Sequence, residues 1–413
     1  MVRQAEIERV FHVENHPAEI ISVEPSSPAN EGSRQGFRSD IQALRALAVL
    51  LVLMYHAQLP GAHAGFLGVD VFFVISGFVI TNVLLKERSN TGGTSLLDFY
   101  GRRIRRILPA ATLVIIATIF ATYHWLSYIS GAQAANDAKW VAAFLGNFHF
   151  SSLGTDYLTA TQPPSTLQQF WSLAVEEQFY LVWPALFIVA TLVRSKIRLE
   201  SFLIPMLAVI IGLSMWWSIH QTVTNAPVAF FSPFTRAWEL ALGALLAVVA
   251  PWMKSWPALI GHALRVVGLI GILAATWFLS SASEWPGANS LIPVLATGAM
   301  VAGGSILVDT GFDAVTNFKP IQWIGLISYS LYLVHWPILT IAKQYSFTTI
   351  PLHSNIELAL LSVVVAALSY YVVERPIRNL RPLVRRRWLT YAMGAILIGS
   401  TYGVIYWHLH NFA

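Results

Sequence analysis

Two side chains able to do chemistry, Arg45 and His56, lie within one long apolar stretch, Ile41–Leu59. If this stretch is helical, their spacing corresponds to about three turns, so both lie on one face about 16 Å apart along the axis. A charged or titratable side chain at membrane depth is costly and usually faces a polar interior. An imidazole can also move protons near neutral pH. The pair therefore predicts a functional site inside a helical bundle; the alternative is a histidine that only caps the helix near the interface.

Other polar side chains are predicted at membrane depth in the outer half of the bundle: Asp70, Glu176, Glu177, Arg236, Glu239 and His335. Arg236 and Glu239 have the i, i+3 spacing of a helical pair, which is functional or a buried structural ion pair. Glu176 and Glu177 point about 100° apart, so one of them is expected to face the interior. Ordinary acidic residues at a helix start are the alternative for these two. For His335 the alternative is a histidine of the interfacial aromatic belt.

Four arginines stand together in the segment FYGRRIRRILPA, Phe99–Ala110. A guanidinium binds phosphate oxygens bidentately, so Arg102, Arg103 and Arg106 are candidates for holding a phosphate-rich ligand. The alternative is the general excess of positive charge on cytoplasmic segments, together with contacts to anionic lipids.

Composition indicates the helices that must position these residues. Of the 413 residues, 55% are hydrophobic and 11% are charged, whereas a soluble domain usually has about 25% charged residues. The apolar residues fall in runs of about 20, the length of a membrane-spanning helix. There is no cysteine, which excludes a disulfide, a thiolate nucleophile and a thiolate metal site; no metal site is predicted. The net charge of +5 is attributed to one membrane face, and no nucleic-acid partner is expected.

The fold class predicted is therefore an all-α polytopic membrane protein of about eleven transmembrane helices. The spans are expected at residues 41–59, 66–85, 107–128, 170–193, 201–220, 233–250, 264–281, 290–308, 323–344, 356–373 and 388–408. A weaker apolar stretch at 138–150 is too short to cross and is interpreted as interfacial or re-entrant. Residues 1–38 are polar, lack the apolar core of a signal peptide, and are interpreted as a disordered cytoplasmic tail.

The basic residues predict the orientation. With the N-terminus cytoplasmic, 22 of the 26 lysines and arginines fall on cytoplasmic segments. Cytoplasmic loops carry this excess in membrane proteins. Eleven spans then place the C-terminus on the extracytoplasmic side.

Seven sequence elements in order resemble the acyltransferase-3 family of integral membrane acyltransferases, which includes bacterial O-antigen and exopolysaccharide O-acetylases. The resemblance runs from about Phe37 to Arg378. Its elements are the Arg45–His56 pair, GFLGVDVFFVISGFVI (Gly65–Ile80), FYGRRIRRILPA, FWSLAVEEQFYLVWP (Phe170–Pro184), RAWELALGAL, SYSLYLVHWP (Ser328–Pro337) and VERP (Val373–Pro376).

This resemblance implies transfer of an acyl group, most commonly acetyl, from cytoplasmic acyl-coenzyme A to a hydroxyl of a cell-surface glycan or its lipid-linked precursor. It implies a location in the bacterial cytoplasmic membrane. Arg45 and His56 match the pair regarded as catalytic in the family. Arg103 and Arg106 match its R-x-x-R element, and Glu176 and Glu177 fall in its W-S-L-x-V-E element.

Elementary chemistry agrees with this expectation. Acyl transfer to a hydroxyl needs a base and stabilisation of a tetrahedral oxyanion. His56 is the candidate base, with Asp70 or Glu176 as a carboxylate that orients the imidazole, and the inner arginines are candidates for holding coenzyme A phosphates. Without cysteine the acyl group must pass directly to the acceptor, through His56, or through a hydroxyl; the sequence leaves these routes open.

Many members of the family continue into an extracytoplasmic SGNH-type hydrolase-like domain. Here the expected layout is a tail at 1–38, a transmembrane domain of about ten helices at 39–380, and a basic linker with the eleventh helix at 381–413. No SGNH-type block follows, so either a truncated fused protein or a separate partner is expected. Two other functions remain open: a transporter or flippase for a lipid-linked glycan, or an acyltransferase for a small lipophilic acceptor.

Overall fold

The computed structural model describes residues 38–158, 163–193, 199–306, 312–346 and 348–411. The disordered tail predicted over 1–38 lies outside these residues, except for Arg38. Within the described ranges the regular structure is helical. The long helices are α1 (Ser39–His56), α2 (Gly68–Thr91), α3 (Leu96–Trp125), α6 (Phe170–Val193), α7 (Glu200–Thr224), α9 (Pro233–Met253), α10 (Ala258–Phe278), α11 (Leu291–Ser305), α13 (Lys319–Ser346), α14 (Leu352–Ser369) and α17 (Arg387–Asn411).

The remaining helices lie between these. They are α4 (Tyr128–Ala142), α5 (Gly146–Ser152), α8 (Ala226–Phe231), α12 (Phe312–Thr316), α15 (Arg375–Asn379) and α16 (Arg381–Arg385). A single π-helical turn, Tyr370–Glu374, joins α14 to α15.

Each of the eleven predicted spans coincides with a long helix, which confirms the polytopic membrane fold. Within the described residues, ten helices are long and apolar enough to cross a membrane. The difference is α11, which has 15 residues and is preceded by a short 3-10 turn. Another difference concerns α3, which begins at Leu96 instead of near 107, so the arginine segment is part of the helix. The stretch 138–150 is shared between α4 and α5.

Burial separates central helices from peripheral ones. In α2, with the short turn before it, 78% of the 18-residue apolar segment is buried, and in α13 67% is buried. The corresponding share is 22% in both α7 and α17. Helix α13 packs on α1 and on α14, while α2 packs on α9 and α1. The candidate residues of α1, α2 and α13 therefore lie in the centre of the bundle.

Two glycines set the close crossing of α2 and α9. A Cβ built on Gly77 would overlap the carbonyl oxygen of Leu240, and one built on Gly243 would overlap the carbonyl oxygen of Val74. Small residues at helix crossings let backbones approach in this way. The reciprocal contact brings Asp70 of α2 beside the charged residues of α9.

A proline anchors the middle of α13. Pro337 has no N–H, so the carbonyl oxygen of Leu333 loses its helical partner. The side-chain amide of Gln169 donates to this oxygen at 3.0 Å. The indole N–H of Trp336 donates to the carbonyl oxygen of Ser165 at 2.9 Å. The segment before α6 is thereby fixed to the same part of α13.

Helix α17, the eleventh predicted span, packs along α3. Arg387 forms an ion pair with Asp98, with Nε 2.5 Å from Oδ1. The buried guanidinium of Arg105 donates to Thr390 Oγ1 at 3.1 Å and to the carbonyl oxygen of Leu383 at 3.3 Å. Arg105 is therefore used for packing, and α17 is an integral part of the bundle.

Candidate active site

Both ring nitrogens of His56 are engaged at the C-terminal end of α1. Its Nδ1 lies 3.0 Å from Nε2 of His335 on α13, and the two rings stack with centroids 5.2 Å apart. Its Nε2 lies 2.9 Å from the hydroxyl oxygen of Tyr157. The structure thus joins one phenol and two imidazoles in a chain that ends on α13.

Aromatic rings surround Tyr157, which lies in the connection between α5 and α6. Its ring stacks on Phe230, with centroids 4.5 Å apart, and on Trp336, with centroids 5.9 Å apart. Burial among these rings raises the pKa of the Tyr157 phenol well above its usual value. The hydroxyl is therefore protonated at neutral pH and needs a base to become a nucleophile.

Helix α13 also contacts the other residue of the α1 pair. Arg45 Nη2 donates to Ser328 Oγ at 2.8 Å, and Ser328 lies two turns before His335 on α13. The predicted common face of Arg45 and His56 is confirmed, because both meet one face of the same neighbour. Neither side chain is completely buried. The first turns of α1, with Arg45, are called its arginine end, and its last turn, with His56, is called its histidine end.

A cluster of charges surrounds Arg45 at the arginine end. Arg106, Glu176 and Glu374 lie within electrostatic range of Arg45. Glu374 Oε2 accepts a hydrogen bond from Ser330 Oγ at 2.9 Å. This arginine-end cluster is defined here as Arg45, Arg103, Arg106, Glu176, Glu177 and Glu374.

The arginines of α3 differ in whether their guanidinium groups already have hydrogen-bond partners in the protein. Arg102, predicted to bind a ligand, forms an ion pair with Glu87 at 2.6 Å. Arg103 stacks over the ring of Tyr180, with Cζ 4.0 Å from the ring centroid. Among the described residues, neither Arg103 nor Arg106 donates a hydrogen bond, and both are partly accessible. Their guanidinium groups therefore have donors left for an anionic ligand.

Glu176 and Glu177 differ from the sequence-based expectation in two ways. Both join the arginine-end cluster, whereas one was expected to face the interior and both were placed in the outer half. Glu176 Oε1 accepts from Ser76 Oγ at 2.5 Å and from the hydroxyl of Tyr180. Glu177 Oε1 is buried without a hydrogen-bond partner among the described residues. Helix α6 begins at Phe170, so these carboxylates lie about two turns inside the helix.

A second charged group, the α2–α9 triad, consists of Asp70, Arg236 and Glu239. Arg236 Nη1 lies 2.8 Å from Asp70 Oδ1 and 3.0 Å from Glu239 Oε1. The predicted Arg236–Glu239 pair is confirmed, with Asp70 as an added member. The three side chains are at most 1% exposed, so the triad is closed to ligands.

The triad corrects one prediction about His56. A carboxylate, Asp70 or Glu176, was expected to orient the imidazole. Instead, Nε2 of His335 lies against Nδ1 of His56. Asp70 is bonded to Arg236, and Glu176 is bonded to Ser76, so neither carboxylate reaches the imidazole. His335 is fully buried in the bundle, which excludes the aromatic-belt alternative.

Sequence reasoning missed Tyr157. It lies in a connecting segment without helical periodicity, and its partner His56 is 101 residues away. The only available signal was a tyrosine in a loop on the same side as the end of α1.

Comparison with known proteins gives a consistent result. The sequence profile of a family described as an acyltransferase domain, acyltransferase-3, matches residues 38–374. The chain is 32% identical over 355 residues to the peptidoglycan O-acetyltransferase OatA of Listeria monocytogenes, covering 82% of this chain and 55% of that protein. It is 29% identical over 351 residues to the putative peptidoglycan O-acetyltransferase YrhL of Bacillus subtilis, covering 82% and 54%.

A third similar protein is the O-acetyltransferase OatA of Staphylococcus aureus, 30% identical over 349 residues, with 82% of this chain and 57% of that protein covered. The chain therefore spans about half the length of the curated relatives it matches. No solved structure matches the chain significantly.

Proposed function

Because the chain belongs to the acyltransferase-3 family of integral membrane acyltransferases, we propose that it transfers an acetyl group from acyl-coenzyme A to a hydroxyl of a cell-envelope glycan. The observation that carries the proposal is the placement of Arg45 and His56 on one face of α1, both in contact with α13 and neither completely buried. The arginine end of α1 offers guanidinium groups, and the histidine end offers an imidazole with the Tyr157 hydroxyl 2.9 Å away.

The donor fits the arginine end. Arg103 and Arg106 have hydrogen-bond donors without acceptors among the described residues, and phosphate oxygens are their natural partners. The extended pantetheine arm of coenzyme A would then run along α1 past Arg45. The axial distance of about 16 Å from Arg45 to His56 is the length that the arm must bridge.

The histidine end supplies acid–base chemistry. His56 Nε2 takes the proton of the Tyr157 hydroxyl, and the phenolic oxygen attacks the thioester carbonyl carbon. The C–S bond of the tetrahedral intermediate breaks, and the departing thiolate takes the proton back from His56. The products are free coenzyme A and an acyl ester on Tyr157.

The second transfer uses the same base. His56 takes the proton of an acceptor hydroxyl, whose oxygen attacks the tyrosyl ester, and the phenolate leaves and regains the proton. A phenolate is a better leaving group than an alkoxide, so the ester is activated towards a glycan hydroxyl. Of the three routes that the sequence left open, we therefore propose the one in which the acyl group passes through a hydroxyl.

Peptidoglycan is the proposed acceptor, because two of the similar proteins are named as peptidoglycan O-acetyltransferases. O-antigen, an exopolysaccharide or a lipid-linked precursor is the alternative within the same chemistry. We place the protein in the bacterial cytoplasmic membrane, with the arginine end cytoplasmic. A separate SGNH-type domain is proposed as the partner that carries the acetyl group to the final glycan.

The test uses purified protein in detergent with radiolabelled acetyl-coenzyme A, comparing wild type, His56→Ala and Tyr157→Phe. Wild type should release coenzyme A and retain label on the Tyr157 peptide, located by mass spectrometry. Both variants should bind the donor but lose release by about 10²-fold or more.

Two results would contradict parts of this proposal. Full coenzyme A release by His56→Ala would remove the base, and release by Tyr157→Phe at the wild-type rate would remove the relay but keep the base. Donor binding without release by any protein, together with movement of a lipid-linked glycan across a vesicle membrane, would favour the transporter alternative.

A further inference from the structure

We propose that His335 is a positioning residue that sets the tautomer of His56, so that the lone pair of His56 stays on Nε2. This inference rests on the proposed function of His56 as a base. It comes from the hydrogen bonds that link Leu331, His335, His56 and Tyr157. The direction of each bond follows from the one before it, beginning at the carbonyl group of Leu331.

The fixed end is a carbonyl group. His335 Nδ1 lies 3.0 Å from the carbonyl oxygen of Leu331, one turn earlier on α13. A carbonyl oxygen only accepts, so Nδ1 of His335 carries the proton and its Nε2 carries the lone pair. The 3.0 Å contact with His56 then requires His56 Nδ1–H to donate. The only ring nitrogen of His56 with a lone pair is therefore Nε2, which faces the Tyr157 hydroxyl at 2.9 Å.

The surroundings hold His335 in this orientation. Its side chain is fully buried, and the ring of Tyr332 lies 5.6 Å away between centroids. Residues on both sides of it are also fixed: Gln169 donates to the carbonyl oxygen of Leu333, and the indole of Trp336 donates to the carbonyl oxygen of Ser165. The acceptor nitrogen therefore cannot turn away from His56 without breaking packing on α13.

The consequence for catalysis is a matter of tautomers. A neutral imidazole has two tautomers in water, and only the one protonated on Nδ1 can take a proton at Nε2. With His335 as acceptor, His56 keeps its Nδ1 proton and this ring orientation throughout the cycle, so that it has this tautomer whenever it is neutral. His335 keeps its own Nδ1 proton, and the proton taken by His56 Nε2 returns to the leaving group. In the catalytic triad of serine hydrolases, a carboxylate accepts the Nδ1–H of the histidine and fixes its tautomer. Here a second neutral imidazole accepts it.

The test compares two replacements of His335 in the full chain. His335→Gln keeps a carbonyl acceptor within reach of His56 Nδ1, whereas His335→Phe keeps a ring but has no acceptor. We expect His335→Phe to lower kcat for coenzyme A release by about 10²-fold, with KM for the donor unchanged. We expect His335→Gln to recover most of kcat. The exposed residue His63, in the variant His63→Phe, is the matched histidine control and should match wild type in both constants.

Several results would overturn the inference. They are an unchanged kcat in folded His335→Phe, a rise in KM alone, or an equal loss of kcat in both variants when both are monodisperse and melt like wild type. If wild type itself releases no coenzyme A, the proposed function fails. The inference is then still tested by ¹⁵N NMR of labelled histidine, with His56 assigned by difference from His56→Gln. We expect the proton on Nδ1 of His56 in wild type and on either nitrogen in His335→Phe; a proton on Nε2 in wild type would overturn it.

Discussion

The α2–α9 triad and the arginine-end cluster are two buried groups of charges that use their guanidinium groups in different ways. In the triad, one guanidinium is bonded to two carboxyl groups and no member is more than 1% exposed. In the cluster, Arg103 and Arg106 are partly accessible and donate no hydrogen bond to a described residue. Charge at membrane depth therefore does not by itself indicate function; partly accessible guanidinium groups without hydrogen-bond acceptors among the described residues are the stronger indication.

The two groups also differ in charge balance. Asp70 and Glu239 share the single positive charge of Arg236, so the triad is neutral when one of the two carboxyl groups is protonated. The cluster has three arginines and three glutamates within electrostatic range. A phosphate-rich donor would complete the bonds of the cluster, whereas the triad has no room for another anion.

The largest expected effect follows from breaking the triad. Arg236→Met should leave two buried carboxyl groups without a cation and lower the stability of the folded protein by about 3–5 kcal/mol. The measurement is the thermal midpoint in detergent, followed by tryptophan fluorescence and size-exclusion chromatography.

Asp70→Asn is the matched variant for the triad. It supplies a permanent hydrogen in place of the carboxyl proton of the neutral triad, so its midpoint and its coenzyme A release should remain near wild type. A collapse of Asp70→Asn, or a stable Arg236→Met, would contradict the neutral-triad interpretation.

The second effect concerns donor binding at the cluster. The double variant Arg103→Gln/Arg106→Gln should raise the Kd for acetyl-coenzyme A at least about tenfold, since a hydrogen bond to a charged group contributes about 1.5–3 kcal/mol. Its thermal midpoint should change little, because among the described residues neither guanidinium donates a hydrogen bond and Arg103 loses only its stacking on Tyr180. Kd is measured by equilibrium binding of labelled donor.

The control removes equal charge from the same end of the bundle. Arg385 and Arg386 are exposed, and Arg385→Gln/Arg386→Gln should leave Kd unchanged. Equal losses in both double variants would indicate general electrostatic attraction in place of a donor site.

The sequence predicts much of this architecture, because its information is local. Hydropathy located all eleven long helices, and the helical period correctly put Arg45 and His56 on one face and paired Arg236 with Glu239. The partners that complete each site come from distant segments: His335 is 279 residues from His56, and Asp70 is 166 residues from Arg236. Periodicity within one helix contains no information on such contacts.

The depth of a side chain within the bundle is the other quantity that local sequence patterns do not predict. The acidic pair of α6 was placed near a helix start because the apolar run begins close by, whereas Phe170 and its neighbours already lie inside the bundle. For Arg102 the pattern of four arginines gave no reason to separate it from Arg103. The separation comes from Glu87, which lies on α2.

A smaller effect is expected from Glu177, whose charge competes with donor phosphates for the arginines of the cluster. The Glu177 carboxylate lies within electrostatic range of Arg103 and Arg106, and its Oε1 is buried without a bond. Glu177→Gln removes the negative charge that this carboxylate has when it is ionised, so at alkaline pH the Kd for acetyl-coenzyme A should fall a few-fold without loss of stability. A weaker-binding Glu177→Gln protein would show instead that this carboxylate helps to orient the arginines.

The smallest effect separates the two groups by their response to salt. Ions screen charges that water can reach and screen buried pairs much less. Raising salt from low to physiological concentration should therefore weaken donor binding by the cluster several-fold. The stability difference between wild type and Arg236→Met should stay the same, because the triad is closed. Donor binding is measured by equilibrium dialysis and stability by thermal midpoint in the same detergent. A salt-independent Kd that is lost in Arg103→Gln/Arg106→Gln would mean that the arginines bind the donor in a site as closed as the triad, and accessibility would then cease to distinguish the two.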